Sequence, residues 1–170
     1  MPNRESAPGH PLAAVFEWMS EIDFAVLDQR FAPHGRDYQI LVQDRLGADP
    51  GTHELTFTHC VEMIYETRVA DSAWQLSWGD DLTDYQRWQK VGEPEGYVWG
   101  TNWSNAYPGL AAISGSERAV EWTARLGKEM HEAQLETDRF ALRLVFHTVR
   151  SRKISESVST ISQVHIPIEW

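Results

Sequence analysis

The sequence predicts an α+β fold in which a mainly antiparallel sheet is packed on one face by about three helices. Several segments alternate apolar and polar residues, which is the period of a strand with one buried face. Segments between them place apolar residues three or four positions apart, which is the helical period. The chain has 170 residues, the size of a single domain that can bury its own core.

The expected domain organisation follows from where this patterning begins and ends. The first residues are polar and contain proline and glycine, so we expect 1–10 to form a flexible N-terminal tail. The patterned part predicts a single α+β domain over 11–157. Because few apolar residues follow, we expect 158–170 to form a partly extended C-terminal extension.

The first predicted elements are a helix and a β-hairpin. Apolar residues recur at helical spacing through 11–29, which predicts the helix. Two alternating segments, 37–45 and 52–69, each predict a strand. Residues 47–51 form a glycine- and proline-containing turn between them, so we expect the two strands to pair antiparallel.

Four more elements complete the prediction. They are a helix that Asp71 or Ser72 caps, a short strand over 97–103 that a turn at 107–109 ends, a helix that begins in the capping-box sequence 114–117, and a long strand over 140–146. In the third helix, the spacing predicts that Val120, Thr123 and Leu126 face the core.

Composition disfavours several classes of protein. The formal net charge is −10, from 25 acidic and 15 basic residues, which opposes contact with nucleic-acid phosphates. The basic cluster Arg150-Ser-Arg152-Lys153 has no interleaved aromatic residue, so we expect a solvent-exposed strand end and no nucleic-acid partner. No apolar run reaches transmembrane length, so we expect no membrane partner. A single cysteine and no secretory signal predict a cytoplasmic protein.

Common catalytic and cofactor motifs are absent from the sequence. It contains no Gly-x-Ser-x-Gly, no phosphate-binding P-loop, no His-Glu-x-x-His and no Cys-x-x-Cys. No glycine-rich nucleotide turn follows a predicted strand, which disfavours a dinucleotide-binding βαβ fold. We therefore expect no cofactor, and the sequence does not decide whether the protein is an enzyme.

His59 is the best candidate for a catalytic residue. It lies between Phe57 and Val61 on the apolar face of the predicted strand, where burial could tune its pKa for acid–base chemistry. A core histidine with one polar partner explains the same pattern. In either case we expect His59 to be buried and to contact a polar group. The neighbouring Cys60 has no adjacent cation to activate it as a nucleophile.

One group of residues has the chemistry of a metal site. His131, Glu132 and Glu136 lie close together in sequence, and imidazole and carboxylate groups bind divalent metals. On a strand, however, His131 and the two glutamates lie on opposite faces. We therefore expect no bound metal and, instead, a solvated sheet edge.

Tryptophan is frequent, with 8 residues, and some of them could form a binding surface rather than fill the core. The segment 99–107 contains two tryptophans and a tyrosine, separated by glycine and asparagine, a composition typical of partner or ligand contacts. Arg36 could bind a carboxylate or phosphate beside it, or could pair with Asp37 to fix a turn. The candidate binding residues are Trp99, Asn102, Trp103, Tyr107, Arg36 and His131.

Five phrases of the sequence carry a resemblance to a known family. They are Phe31-Ala-Pro-His-Gly-Arg-Asp-Tyr38, Phe57-Thr-His-Cys-Val-Glu62, Tyr97-Val-Trp-Gly-x-x-Trp103, Tyr107-Pro-Gly109 and His131-Glu-x-x-x-Glu-Thr137. Together, over roughly residues 12–154, they resemble the YxiG-like family of small bacterial proteins, which is common in actinomycetes. The family's namesake resembles a product encoded near a polymorphic toxin locus, so the resemblance implies an immunity-type role. It supplies no catalytic residue.

Two functions from different classes fit these observations. The first is a binding protein without a catalytic motif, specifically an immunity-type inhibitor of a basic bacterial toxin, because an acidic protein attracts a cationic partner. The alternative is a small enzyme of the cyclase or isomerase type, in which an aromatic-lined pocket and a histidine or carboxylate act on a small apolar molecule. The expected partner is accordingly a basic protein or a small apolar ligand.

Overall fold

The computed structural model describes residues 11–21, 23–47, 49–71, 74–75, 89–90 and 103–154 of the chain. The strands in these ranges are β1 (Phe24–Phe31), β2 (Tyr38–Asp44), β3 (Gly51–Thr58), β4 (Glu62–Thr67), β5 (Ser104–Ala112), β6 (His131–Thr137), β7 (Phe140–Phe146) and β8 (Thr148–Ile154). Helix α1 (Pro11–Glu21) precedes β1, and helix α2 (Glu117–Leu126) lies between β5 and β6.

The eight strands form one sheet, in the order β4-β7-β6-β5-β1-β2-β3-β8, and neighbouring strands pair antiparallel. The predicted α+β class, a sheet packed on one face by about three helices, is therefore wrong: the described residues are mainly β-structure with two helices. The predicted hairpin is confirmed, because β2 pairs with β3 from Tyr38–Phe57 to Asp44–Gly51.

Two long strands bend, and each bend joins a strand near one end of the sheet order to a strand near the other end. The predicted strand 52–69 is in fact two strands, because the chain turns at His59, whose backbone has a left-handed φ of 49°. β7 and β8 likewise continue each other across His147. The two bent strands lie side by side, and the His147 N–H donates to the Thr58 carbonyl at 2.9 Å. On either side of the bend, β3 pairs with β8 and β4 pairs with β7.

The first helix is shorter than predicted. α1 ends at Glu21, and the second half of the predicted helix 11–29 forms most of β1. The buried run Phe24-Ala-Val26 fits a buried helix or a buried strand, because so short a run has no period of its own. Its position between β2 and β5 decides the outcome, since both neighbours pair with its backbone.

The core lies between the sheet and α1. Val15 and Met19 of α1 are buried in it, and α1 packs against β5 and β8. The sheet contributes residues at every second position, as in β2, where Tyr38, Ile40 and Val42 are buried and the positions between them are half-buried. No helix in the described ranges is both long and apolar enough to span a bilayer.

Helix α2 forms where the capping signal predicts it, but with a different inner face. Ser116 caps it by accepting a hydrogen bond from the Ala119 N–H at 3.0 Å, and the helix ends at Gly127, whose φ is 63°. Val120 and Leu126, predicted to face the core, are 66% and 50% exposed, whereas Ala119 is buried. The prediction is wrong because polar side chains on another stripe of the helix bind the sheet.

Several predicted elements lie outside the described residues. They are the tail 1–10, the extension 158–170, the strand 97–103 except for Trp103, and most of the second helix, of which Asp71, Trp74 and Gln75 are helical. β5 begins at Ser104 and continues through the predicted turn at 107–109. The pairing with β6 shifts register between Ala106 and Gly109, so the turn signal marks a bulge within a strand.

Substitution of Phe57 by alanine should test this core. The ring is 0% exposed and contacts Phe146 edge to face, with centroids 4.9 Å apart. We expect the free energy of unfolding to fall by about 3–5 kcal/mol, measured by chemical denaturation. Leu46→Ala, at a side chain that is 81% exposed, is the control and should change stability by less than about 0.5 kcal/mol. Equal losses in the two variants would contradict the placement of the core.

Candidate functional site

Asp37 is the polar centre of the bend. Its buried carboxylate accepts hydrogen bonds from Arg36 Nε at 2.8 Å, Arg36 Nη2 at 3.0 Å and the backbone N–H of His59 at 3.0 Å. Hydrogen bonding from the Arg36 guanidinium is the main cause that lowers the pKa of Asp37 to about 2. One carboxylate thereby connects the segment between β1 and β2 to the turn between β3 and β4.

His59 differs from its predicted environment. It is the turn residue itself, it is half-buried, and among the described residues its buried Nδ1 has no hydrogen-bond partner. The expectation that His59 is buried is therefore wrong, whereas the expected polar contact is made by its backbone N–H to Asp37. Desolvation lowers the pKa of His59, and the nearby charges of Lys128 and Arg36 lower it further. The His147 ring lies against it, with centroids 5.8 Å apart.

An open cleft of about 350 Å³ lies beside this turn, and we call it the His59 cleft. Its lining combines cationic or titratable side chains with aliphatic or sulfur-containing ones. The side chains that matter here are His34, Arg36, His59, Lys128, Val61, Leu126 and Met130. The Arg36 side chain is 57% exposed, and Lys128 is also exposed. The cleft therefore offers positive charge to solvent in a protein whose net charge is −10.

Cys60 lies next to His59 but does not have the chemistry of a nucleophile. It is buried, and its Sγ donates a hydrogen bond to the Glu62 carbonyl at 3.4 Å. Burial raises the pKa of the Cys60 thiol to about 12, so the thiolate is not formed at neutral pH. Its contribution to the cleft is packing.

A second polar cluster holds α2 against the sheet. The Glu62 carboxylate of β4 accepts hydrogen bonds from Arg118 Nε at 3.0 Å and from the indole N–H of Trp122 at 3.0 Å. Arg118 first, and then Trp122, lower the pKa of Glu62. Because Arg118 and Trp122 are one helical turn apart, this face of α2 binds the sheet and Val120 is left exposed.

The two glutamates that were weighed as metal ligands, Glu132 and Glu136, bind arginine side chains of the protein instead. Glu132, predicted at a solvated sheet edge, is 3% exposed and bonds Arg143 and Ser116, so that prediction is wrong. The N-terminus of α2 covers this part of β6. Glu136 binds Arg68 at 3.3 Å. In the ranges that the structure describes, no three His, Cys, Asp or Glu side chains are grouped as metal ligands.

Two of the predicted aromatic residues are described, and their environments differ. Trp103 is half-buried, and the guanidinium carbon of Arg45 lies 4.3 Å from its ring centroid. Tyr107, in β5, is 82% exposed. Trp99 and Asn102 lie outside the described residues.

The structure separates the predicted site residues into three places. Arg36 and the catalytic candidate His59 lie at the bend, and His131 lines a neighbouring groove of about 540 Å³ between α1 and α2. Tyr107 lies near Thr137, at the other end of β6 from His131. A strand of this length spans about 20 Å, so the tyrosine is far from the cleft.

Sequence patterns do not identify Lys128 or His147 as residues of the site. Lys128 follows the end of α2, and His147 lies between β7 and β8. Both approach His59 only because strands distant in sequence are paired here. The one local signal is the junction around Arg36, where a histidine, a guanidinium and a carboxylate are adjacent in sequence.

Comparison with known proteins identifies one family that matches this chain. The model of the family described as YxiG-like protein matches residues 10–163, so the resemblance carried by the sequence phrases is confirmed. A crystal structure of an uncharacterized protein from Neisseria gonorrhoeae gives a TM-score of 0.35 at 5% sequence identity, over 78% of this chain and 93% of that chain. No curated protein sequence matches the chain.

Replacing Asp37 by asparagine should destabilise the fold, because the Arg36 guanidinium loses its charged acceptor. We expect a loss of about 1–3 kcal/mol at pH 7, measured by denaturation. The pKa of Asp37 is lowered from 3.8 to about 2, so its ionised form stabilises the native state above that range. This contribution should be lost as the pH falls through 3.8 towards 2 in the unsubstituted protein, and it should be missing from the variant.

Asp28→Asn is the matched control for this experiment. The Asp28 side chain is 48% exposed and pairs with Arg30 on the surface, so its loss should cost less than about 1 kcal/mol. If Asp37→Asn and Asp28→Asn unfold at the same denaturant concentration, Asp37 does not hold the bend.

Proposed function

We propose that this chain, which belongs to the YxiG-like family, is a binding protein that contacts its partner with the surface around Tyr107. The observation that carries the proposal is the position of this tyrosine. Its ring is 82% exposed, and it lies in a bulge of β5 that paired residues flank on both sides, Ala106 with Thr137 and Gly109 with Glu136. A large amphipathic ring on a fixed backbone gives contact area at a low cost in conformational entropy.

Acidic residues lie beside Tyr107. Gly109 pairs with Glu136 on β6, whose carboxylate is bound to Arg68, and the Asn105 N–H donates to Asp138 Oδ1 at 2.9 Å, so the tyrosine lies between these two acidic positions. The protein as a whole carries a net charge of −10. Such a charge accelerates association with a cationic partner, and an exposed tyrosine can supply the contact energy.

The specific function that we propose is immunity-type inhibition of a basic bacterial toxin. Membership of the YxiG-like family supports it by association, and the acidic charge supports it by physical complementarity. An inhibitor of this kind needs a stable recognition surface and no chemistry of its own. The surface around Tyr107 has the first property.

The alternative is a small enzyme with an aromatic-lined pocket. One observation favours it, namely that His59 lines a cleft and has a lowered pKa. The described lining of that cleft, however, contains aliphatic and cationic side chains and no Trp, Tyr or Phe ring. It therefore offers no aromatic wall that could stabilise a cationic intermediate, and the binding function is the better supported of the two.

Tyr107→Ala should weaken binding without weakening the fold. With a basic toxin domain from the host bacterium as the partner, we expect the free energy of binding to fall by about 2 kcal/mol, roughly 30-fold in Kd. Thermal stability should be unchanged because the removed ring is exposed. Isothermal titration calorimetry measures the affinity, and growth of cells that co-express the toxic domain measures protection.

Val120→Ala is the matched control, because Val120 is 66% exposed and lies with His131 in the groove at the other end of β6. It should leave both affinity and protection unchanged. The proposal is abandoned if the unsubstituted protein neither binds nor protects against that domain. Unchanged affinity in Tyr107→Ala would instead show that the recognition surface lies elsewhere on the protein.

A further inference from the structure

The His59 cleft presents positive charge that the proposed function does not use. Arg36 and Lys128 both line it, and both are accessible to solvent. Among the described residues, Lys128 has no ion-pair partner. We propose that this cleft binds the phosphate group of a small phosphomonoester that carries an apolar substituent.

The Arg36 guanidinium is preorganised for contact with a phosphate group. Its Nε and Nη2 groups both donate to the Asp37 carboxylate, which holds the guanidinium plane in one orientation. The remaining N–H groups of the exposed guanidinium can bind an oxyanion. Because Asp37 is buried and its pKa is lowered to about 2, it stays ionised and keeps this orientation at physiological pH.

His59 can donate a third hydrogen bond into the cleft. Its Nδ1 is buried and has no partner in the part of the chain that the structure describes. A buried N–H without an acceptor is costly, so the favoured neutral tautomer leaves a lone pair on Nδ1 and carries its proton on Nε2. The ring lines the cleft, so a proton on Nε2 makes the neutral histidine a donor for a ligand there.

His147 supports the histidine from the other side. Its Nδ1 bonds to the carbonyl of Glu129 at 2.8 Å. A carbonyl only accepts hydrogen bonds, so Nδ1 carries the proton and the ring orientation is fixed. The two rings are in contact, so the fixed His147 ring restricts the orientation of His59.

The charges around His59 favour an anion. Arg36 and Lys128 contribute two positive charges, and Asp37 removes one. The other titratable groups at or beside the cleft are His34, Cys60, Glu129 and His147. In the free protein, desolvation and these cations oppose protonation of His59, and a bound phosphate would offset the cations.

Apolar side chains in the lining favour an apolar substituent. Leu126, which is 50% exposed, and the half-buried Val61 both line the cleft. Water in contact with these side chains is released when an apolar group covers them. A phosphomonoester with an aromatic or aliphatic substituent should therefore bind more tightly than inorganic phosphate, which has no apolar group to cover them.

The test is a nuclear magnetic resonance titration of the full chain with inorganic phosphate and, separately, with phenyl phosphate at constant ionic strength. Saturable shifts are expected at His59 and Lys128, with phenyl phosphate binding several-fold more tightly. Lys128→Gln should weaken both ligands about tenfold, since one charge-assisted hydrogen bond is lost. Lys153→Gln is the control, because Lys153 lies on β8 five positions from the Thr148–Thr58 pair, about 17 Å away.

A second variant tests the role of the histidine. Asparagine tolerates the left-handed backbone of residue 59, so His59→Asn should keep the fold. At a constant pH of 7.5, the variant should bind inorganic phosphate and phenyl phosphate several-fold more weakly than the unsubstituted protein, because the imidazole donor is lost. The proposal is overturned if phosphate causes no saturable shift at the cleft, or if Lys128→Gln and Lys153→Gln weaken binding equally. Equal affinities for inorganic phosphate and phenyl phosphate would overturn the proposed preference for an apolar substituent.

Discussion

The bend at His59 is the constraint on which the rest of the structure depends. A histidine with a φ of 49° is strained, and single residues in this region cost on the order of 1 kcal/mol or more. Asp37 accepts the N–H of His59, and the Arg36 carbonyl accepts the N–H of Cys60 at 2.8 Å. These two bonds satisfy the backbone of the turn at the point where the sheet changes direction.

The position of α2 follows from this bend. Glu62 lies three residues after His59, at the start of β4, and it binds Arg118 and Trp122 of the helix. The chain then leaves α2 through Gly127 and brings Lys128 back to the cleft. The helix is therefore held by charged contacts rather than by an apolar stripe, and the same contacts place one wall of the His59 cleft. Loss of the bend would disturb both.

The two proposed contact surfaces use opposite charges and lie at different ends of β6. The surface around Tyr107 lies between acidic positions of β6 and the turn that follows it, whereas the His59 cleft contains Arg36 and Lys128. Surface charges separated by more than about 10 Å are largely screened at physiological ionic strength. An acidic protein can for this reason attract a basic macromolecule at one end and still hold a small anion at the other.

The sequence by itself determined the features that depend on neighbouring residues. The β2–β3 hairpin, the capped start of α2, the last long strand and the family membership follow from local alternation, capping chemistry and short phrases. Only the tertiary structure decided that Phe24-Ala-Val26 forms a strand, that His59 is a turn and that Glu132 is buried. These outcomes depend on pairing between distant segments, such as the Thr58 hydroxyl donating to the Thr148 carbonyl across 90 residues. A local pattern contains no information about which distant backbone will satisfy its hydrogen bonds or which charge will lie opposite it.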